Sequence, residues 1–156
     1  METVGDWVAG LRNQDDKQAY ECLKNLLALS QHSAEAYAYF ADYVELMQSG
    51  HSYRRTRGFL LIAANAKWDT DYKLDEVFDT FLRCLAEAKP IEARQEIRAM
   101  GAIALARSDL ADEITRAFTN MNLFRYPETM RSLIRKDIAQ TLLEIETAWE
   151  PSLKMQ

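Results

Sequence analysis

PIEARQEIRAMGAIALAR, residues 90–107, opens with a proline and holds an arginine early in a run of alanines and aliphatic residues. The same arginine position recurs every 37 residues, at Arg57, Arg94 and Arg131, and the prolines at 90 and 127 stand four residues before it. Apolar residues keep the same step in four further columns: Leu23, Leu60, Ile97 and Ile134; Phe40, Val77 and Ile114; Val44, Phe81 and Phe118; Met47, Cys84 and Met121. Several columns in one register indicate a repeat architecture, in which each unit is one supersecondary element.

Two helices are predicted in each unit, because glycine and proline are scarce and apolar residues recur at steps of three and four. The first helices are expected at roughly 34–48, 72–87 and 109–121, and the second helices at roughly 52–67, 90–106 and 127–148. A degenerate N-terminal pair is expected from a short helix near 3–12 and the segment DDKQAYECLKNLLALS, where Tyr20 takes the arginine position. Terminal repeats are often atypical because they close the end of the stack.

The predicted fold class is therefore all-α, an α-solenoid of about four antiparallel helix pairs with a 37-residue repeat. A single domain is expected over 1–156, with units at roughly 3–30, 33–68, 71–107 and 109–148. Two glycines, Gly58 and Gly101, fall in the middle of predicted helices. Glycine there costs about 1 kcal/mol relative to alanine, so we expect a close approach of another helix at both positions.

The charge of the chain is −5, and all of it falls in residues 1–50, since residues 51–156 carry sixteen acidic and sixteen basic residues. An acidic chain is a poor generic polyanion binder, so nucleic acid is not the expected partner. No apolar run approaches the ~18 residues of a membrane span, and the acidic N-terminus has no secretory core. Cys22 and Cys84 stand alone and form no metal-ligand pattern. We therefore expect a cytoplasmic protein without a membrane segment, a cofactor or a metal site.

The unit with its early arginine, as in SYRRTRGFLLIAANA and PIEARQEIRAMGAIALA, resembles the HEAT and armadillo-like repeats over roughly residues 3–148. The resemblance implies that the arginine column is structural and is paired with aspartates of the turn inside each repeat. This chain departs from that pattern, because the corresponding turn positions hold His51, Ala88 and Arg125. Asp42 and Asp79, themselves 37 residues apart, are predicted to serve as the acceptors for Arg57 and Arg94 instead. A buried guanidinium needs such a partner, because an unpaired buried charge is costly.

Segments such as TRGFLLIAANAKWD and RSLIRKDIA are similar to small uncharacterised bacterial HEAT-like proteins, some of them labelled SufBD-like. That label implies an accessory role in iron–sulfur cofactor assembly, although the chain lacks the several thiolates that hold a cluster. Other HEAT-like folds are alkylpurine glycosylases, and Trp68 beside Asp69 is an aromatic–carboxylate pair that such a site could use. The structural alternative is that Asp69 or Thr70 caps or turns the chain while Trp68 packs under the loop.

The resemblance implies a binding face on the inner, concave surface, which the second helices form. A basic stripe is predicted there, one turn after the arginine column and at the start of one second helix: Lys24, Arg54, Arg55, Arg98 and Arg135. Such a stripe suits a protein partner or an acidic peptide. The alternative is a solvated helix face on which Glu92 and Glu96 pair with Arg94 and Arg98 inside one helix. Both interpretations stay open at the level of the sequence.

No catalytic constellation is evident, because the five glycines are scattered and neither His32 nor His51 has a ligand partner at helical spacing. We therefore expect a non-enzymatic helical-repeat scaffold for protein–protein interaction, present as a monomer or a weak homodimer. Two alternatives stay open. The first is a nucleic-acid-binding or base-modifying HEAT-like protein, and the second is an accessory to iron–sulfur cofactor assembly.

Overall fold

The computed structural model describes the backbone of residues 2–154 and the side chains of residues 2–148. Within that range every regular element is a helix, which confirms the all-α prediction. The α-helices are α1 Val4–Gly10, α2 Asp16–Ser30, α3 Phe40–Met47, α4 Ser52–Ala64, α5 Lys73–Glu87, α6 Pro90–Ala106, α7 Ala111–Asn120 and α8 Glu128–Lys154. Short 3-10 turns at Glu35–Tyr39, Ala66–Trp68, Ser108–Leu110 and Leu123–Arg125 flank them. The predicted helices all form near their expected positions.

Two helix starts show how local chemistry sets these bounds. Pro90 is the first residue of α6, where its missing N–H has no intrahelical partner to lose. Asp69 precedes α5 and accepts hydrogen bonds from the backbone N–H groups of Lys73 and Leu74, each at 2.9 Å. Its carboxylate therefore satisfies two of the unpaired donors of the helix N-terminus, as the structural interpretation of this segment predicted.

The chain divides into two compact units, Met1–Phe81 and Leu82–Gln156, with the boundary inside α5. In the first unit α3 packs against α4, while α1 and α4 both contact α2. Its core is rich in aromatic rings, and the rings of Phe59 and Phe81 are stacked with centroids 3.8 Å apart. The largest fully buried side chains of this unit include Tyr43, Phe59, Phe81, Leu11, Leu26 and Met47. Burial of these side chains supplies the main stabilising term for this unit.

The second unit is built around the contact of α6 with α8. The 3-10 turn Leu123–Arg125 precedes α8 and also contacts it, and α7 packs against both α6 and α8. Its buried apolar side chains come from all three helices: Ile97, Met100, Ile103, Ile114, Phe118, Ile134 and Ile145. Three carboxylate side chains, Glu92, Glu96 and Asp137, are also buried here. Buried carboxylates such as these need positively charged or hydrogen-bonding partners.

The repeated apolar columns are mostly core positions. Buried members are Leu23, Phe40, Met47, Phe81, Ile97, Ile114, Phe118 and Ile134, and half-buried members are Val44, Leu60, Val77, Cys84 and Met121. None of the columns points to solvent. The spacing therefore identified the inward faces of the helices, as a 3.6-residue period allows.

The two mid-helix glycines differ from each other. A Cβ at Gly58 would come within 2.6 Å of the backbone nitrogen of Met47 and 2.9 Å of the Leu46 Cβ, so α3 and α4 touch at this point. The close approach expected at Gly58 is confirmed. At Gly101 the nearest atoms to a Cβ would be Glu144 Oε2 at 3.6 Å and Thr141 Cγ2 at 3.7 Å, an ordinary van der Waals contact. The same expectation for Gly101 was wrong, because only side chains of α8 lie opposite it.

Candidate binding surface

The first arginine of the repeated column, Arg57, is a buried structural residue of the first unit. Its side chain is 7% exposed, and it donates to the carbonyl oxygen of Leu11 at 2.9 Å and to Asp16 Oδ1 at 3.1 Å. These bonds tie α4 to the segment between α1 and α2. The guanidinium thus donates to the carbonyl oxygen of the residue that follows α1 and to the carboxylate of the first residue of α2. Its role is therefore structural.

The second arginine, Arg94, lies in the second unit and forms an ion pair across two helices. Its Nε donates to Asp137 Oδ2 of α8 at 2.6 Å. Hydrogen bonding to Asp137 is the main cause of the raised pKa of Arg94. Arg98, one turn further along α6, has its Nε 3.8 Å from Asp137 Oδ1. Asp137 is itself 9% exposed. One buried carboxylate therefore accepts hydrogen bonds from Arg94 and forms a longer ion pair with Arg98 of the same helix.

These partners differ from the ones expected from the sequence. Asp42 and Asp79 were predicted to accept from Arg57 and Arg94, but Asp16 and Asp137 take those positions. Asp42 is half-buried and Asp79 is exposed. The physical reason is that each guanidinium meets the helix packed against it, and the helix carrying its acceptor differs between the two units. A shared 37-residue spacing carries no information about that choice.

The third arginine, Arg131, fixes the turn that precedes its own helix. Its Nε donates to the carbonyl oxygen of Leu123 at 3.2 Å, and an Nη donates to the carbonyl oxygen of Tyr126 at 3.1 Å. Both acceptors bracket the 3-10 turn Leu123–Arg125. Among the side chains described up to residue 148, Arg131 has no aspartate as a hydrogen-bond partner. The three arginines of the column thus satisfy their donors in three different ways.

Two further side chains hold the same turn from the other side. Tyr126 is buried and its hydroxyl donates to the carbonyl oxygen of Ala88 at 2.7 Å. Arg125 donates to the carbonyl oxygens of Ala86 at 2.5 Å and Ala88 at 2.8 Å, and also to the Tyr126 hydroxyl. Burial is the main cause of the raised pKa of Tyr126. The turn is thus pinned both to the end of α5 and to α8.

Phe124 is the residue that this pinned turn presents. It is 78% exposed, more than any other large hydrophobic side chain in the described range. The guanidinium carbon of Arg131 lies 5.0 Å from the centroid of the Phe124 ring, within cation–π range. Aromatic residues and arginines are the types enriched at the energetically important positions of protein interfaces.

The charge around Phe124 is positive although the chain as a whole is acidic. Residues 123–136 hold four basic residues, Arg125, Arg131, Arg135 and Lys136, and one acidic residue, Glu128. Arg135 is exposed and lies four residues after Arg131, so the two share one face of α8. We name Phe124, Arg131 and Arg135 the Phe124 surface. Glu128, three residues before Arg131, lies on the same helical face.

The basic stripe predicted from the sequence is divided between the units. Lys24, Arg54 and Arg55 belong to the first unit, and Arg98 and Arg135 belong to the second. Four of the five are engaged by the chain itself: Lys24 pairs with Glu21 at 3.1 Å, Arg54 donates to the Arg12 carbonyl, Arg55 donates to the Ser49 carbonyl, and Arg98 approaches Asp137. Arg135 makes no hydrogen bond or ion pair with the side chains described up to residue 148. It is therefore the member of the stripe best placed to meet a partner.

Sequence reasoning missed Phe124 and Tyr126. The segment NLFRYPE places two aromatic residues around an arginine immediately before a proline, which was the available signal. The repeat register drew attention to Pro127 and Arg131 only as column members. Their neighbours fall outside the columns, so the pattern passed over them.

Trp68 and Asp69 resolve as structural residues of the first unit. Trp68 is half-buried and its Nε1 donates to the carbonyl oxygen of Ser30 at 2.7 Å. Asp69 is buried and accepts from the Tyr37 hydroxyl at 2.5 Å as well as from the start of α5. Burial is the largest cause of the raised pKa of Tyr37, followed by this hydrogen bond. The carboxylate of Asp69 is therefore saturated by donors of its own unit.

Across residues 2–148, no group of three or more His, Cys, Asp or Glu side chains is arranged to hold a metal ion. Cys22 and Cys84 are half-buried and are not joined in a disulfide, and burial raises the pKa of Cys22. No helix among the described residues has the length and apolarity needed to cross a membrane.

No family model, curated protein or solved structure matches this chain.

Proposed function

We propose that this chain is a non-enzymatic helical-repeat scaffold of the HEAT/armadillo-like type that binds a protein partner through the Phe124 surface. The 37-residue register and the all-helical fold support the repeat type. The single observation that carries the binding function is the 78% exposure of Phe124 on a turn pinned by Arg131 and Tyr126. Scattered exposed hydrophobic residues are common, so exposure alone would not suffice.

The pinning of the turn is what favours binding. Hydrogen bonds from Arg131, Arg125 and Tyr126 hold the backbone on both sides of Phe124. A side chain on an ordered backbone loses less conformational entropy when a partner arrives. Aromatic residues and arginines are also the types that contribute most at protein interfaces. The turn thus presents an aromatic residue, a type favoured at interfaces, on a backbone that loses little conformational entropy when a partner binds.

Two of the charged groups with shifted pKa values have structural roles, which is in keeping with a binding function. The pKa of Arg94 is raised by Asp137, and the pKa of Asp109 is lowered by the hydrogen bonds from Arg107. Both groups form ion pairs that join or end helices. Shifted groups at a catalytic site would instead converge on a shared cleft.

The experiment is affinity capture from cells that produce the protein naturally, with three baits. The wild type and Leu143→Ala are expected to retain the same specific partner, and Phe124→Ala is expected to lose it. Leu143 is the matched control, because it is 56% exposed and lies in the same unit. Circular dichroism checks that each bait is folded. Identical capture by all three baits would contradict the proposed binding surface.

A further inference from the structure

We propose, building on the proposed function, that the Phe124 surface binds an acidic peptide segment of its partner. This segment places an apolar side chain on the ring of Phe124 and a carboxylate against Arg135. Arg135 and Lys136 are both exposed, and Arg135 is the one that shares a face of α8 with Arg131. The choice of Arg135 follows from how the four basic residues of 123–136 are used.

Two of the four cations are occupied within the molecule. Arg125 donates to two backbone carbonyl oxygens and to the Tyr126 hydroxyl. Arg131 uses Nε and one Nη on the carbonyl oxygens of Leu123 and Tyr126, and its guanidinium lies against Phe124. These arginines build the turn. Their donors are therefore mostly satisfied before a partner binds.

Arg135 differs from them in both respects. It is exposed, and within the described side chains it has no hydrogen bond or ion pair. It lies one helical turn beyond Arg131, about 6 Å along the axis of α8. A free guanidinium and an apolar ring are thus separated by about the length of a few peptide residues. A carboxylate is the complementary group, because it accepts two parallel N–H bonds from a guanidinium.

The same surface fits a peptide better than a nucleic acid. Strands of nucleic acid carry a phosphate at every step, so a protein needs many free cations to bind one. Here Glu128 shares the helical face with Arg131 and Arg135, and the chain as a whole carries a charge of −5. A repeating phosphate chain would meet Glu128, whereas a peptide can place a neutral residue there. An isolated carboxylate beside an apolar side chain avoids that repulsion.

The test uses fluorescence anisotropy with labelled probes on the full chain. The main probe is a peptide in which glutamates flank a single tryptophan. Three comparison probes are the same peptide with alanine in place of tryptophan, the same peptide with lysines in place of the glutamates, and a single-stranded oligothymidylate. We expect the first probe to bind at least about tenfold more tightly than each comparison probe, with affinity falling as salt rises.

Matched variants separate a local contact from the net charge. Arg135→Glu and Lys136→Glu change the charge equally, but Lys136 is turned about 100° away on α8. We expect Arg135→Glu to weaken binding at least about tenfold and Lys136→Glu by less than about threefold. Glu128→Gln is expected to strengthen binding about twofold, because it removes the acid on the shared face.

Several outcomes would overturn the inference. Tighter binding of the oligothymidylate would identify the surface as a nucleic-acid site. Equal effects of Arg135→Glu and Lys136→Glu would show general electrostatics without a local contact. If the acidic peptide does not bind while natural capture still depends on Phe124, the acidic-peptide assignment fails and the scaffold proposal stands. If capture is also independent of Phe124, both fail.

Discussion

Gly58 of α4 lies so close to Tyr43 of α3 that a Cβ at position 58 would overlap the carbonyl oxygen of Tyr43. That oxygen is backbone, and so is the nearby Met47 nitrogen, so neither can move aside without shifting α3. Among the described residues, Gly58 is the one glycine whose added Cβ would meet backbone atoms of another helix. Gly101, in contrast, has side-chain atoms opposite it at ordinary contact distance.

The two glycines give a matched pair of substitutions. We expect Gly58→Ala to lower the free energy of unfolding by about 1–3 kcal/mol, because the added methyl group overpacks the α3–α4 contact. Gly101→Ala is expected to raise it by up to about 1 kcal/mol, because alanine favours the helix and has room. Urea unfolding followed by circular dichroism measures both. Equal effects of the two substitutions would contradict the difference in packing.

The ion pair of Arg94 with Asp137 gives a second pair of variants. We expect Asp137→Asn to lower the melting temperature by about 3–6 °C, because Arg94 loses its charged hydrogen-bond acceptor and Arg98 loses its ion-pair partner. Asp79→Asn is the control, since Asp79 is exposed and was the acceptor expected from the repeat register. It should change the melting temperature by less than about 2 °C. A larger loss for Asp79→Asn than for Asp137→Asn would contradict this pairing.

Tyr72 adopts a backbone conformation that favours glycine. Its φ is 56°, the one positive value for a non-glycine residue within the described part of the chain, and its side chain is 62% exposed. We expect Tyr72→Gly to be more stable than Tyr72→Ala by about 1 kcal/mol, because alanine keeps the Cβ that the left-handed region disfavours. Both variants lose the ring, so their difference isolates the backbone strain. Thermal unfolding gives the comparison, and the reverse order would contradict it.

Buried tyrosines make the protein sensitive to high pH. Burial is the leading cause of the pKa of Tyr37, Tyr43 and Tyr126 being raised above the ordinary value of 10.0. The unfolded chain therefore releases these protons at lower pH than the folded chain does. Their stabilising contribution is complete below pH 10 and is lost as pH rises through the higher folded pKa values.

We therefore expect the free energy of unfolding to fall steeply above pH 10, which urea titrations at a series of pH values would measure. Lysines also titrate near this range, so Tyr37→Phe is the control. Its free energy of unfolding should fall less steeply above pH 10 than that of the wild type, because one tyrosine with a raised pKa has been removed. Parallel curves for the two proteins would argue against a contribution from Tyr37.

The positions of the helices were predictable because their causes are local. Pro90 starts α6 through a property of its own ring, and Asp69 caps α5 through bonds to residues four and five positions away. The inward faces were predictable for the same reason, since Ile97 and Ile134 repeat with the helical period and are both buried. Neither conclusion required knowing which helices meet.

The acceptors of Arg57 and Arg94 could not be predicted from local sequence. Arg57 meets Asp16 across 41 residues, and Arg94 meets Asp137 across 43 residues. One acceptor precedes its arginine in the chain and the other follows it. Those separations are set by which helix packs against α4 or α6, so they do not share the 37-residue register that related the arginines to each other.

The sequence by itself thus determined the all-helical class, the approximate helix bounds and the buried columns, because hydrogen bonds and apolar periodicity within a helix involve residues a few positions apart. Only the tertiary structure decided that Asp137 forms ion pairs with Arg94 and Arg98 and that Phe124 is exposed to solvent. It also decided that hydrogen bonds from Arg131 and Tyr126 hold one turn. Exposure and long-range pairing depend on the surfaces that packing leaves free. A side chain such as Phe124, which the pattern of a sequence assigns to a core as readily as to a surface, is placed by packing alone.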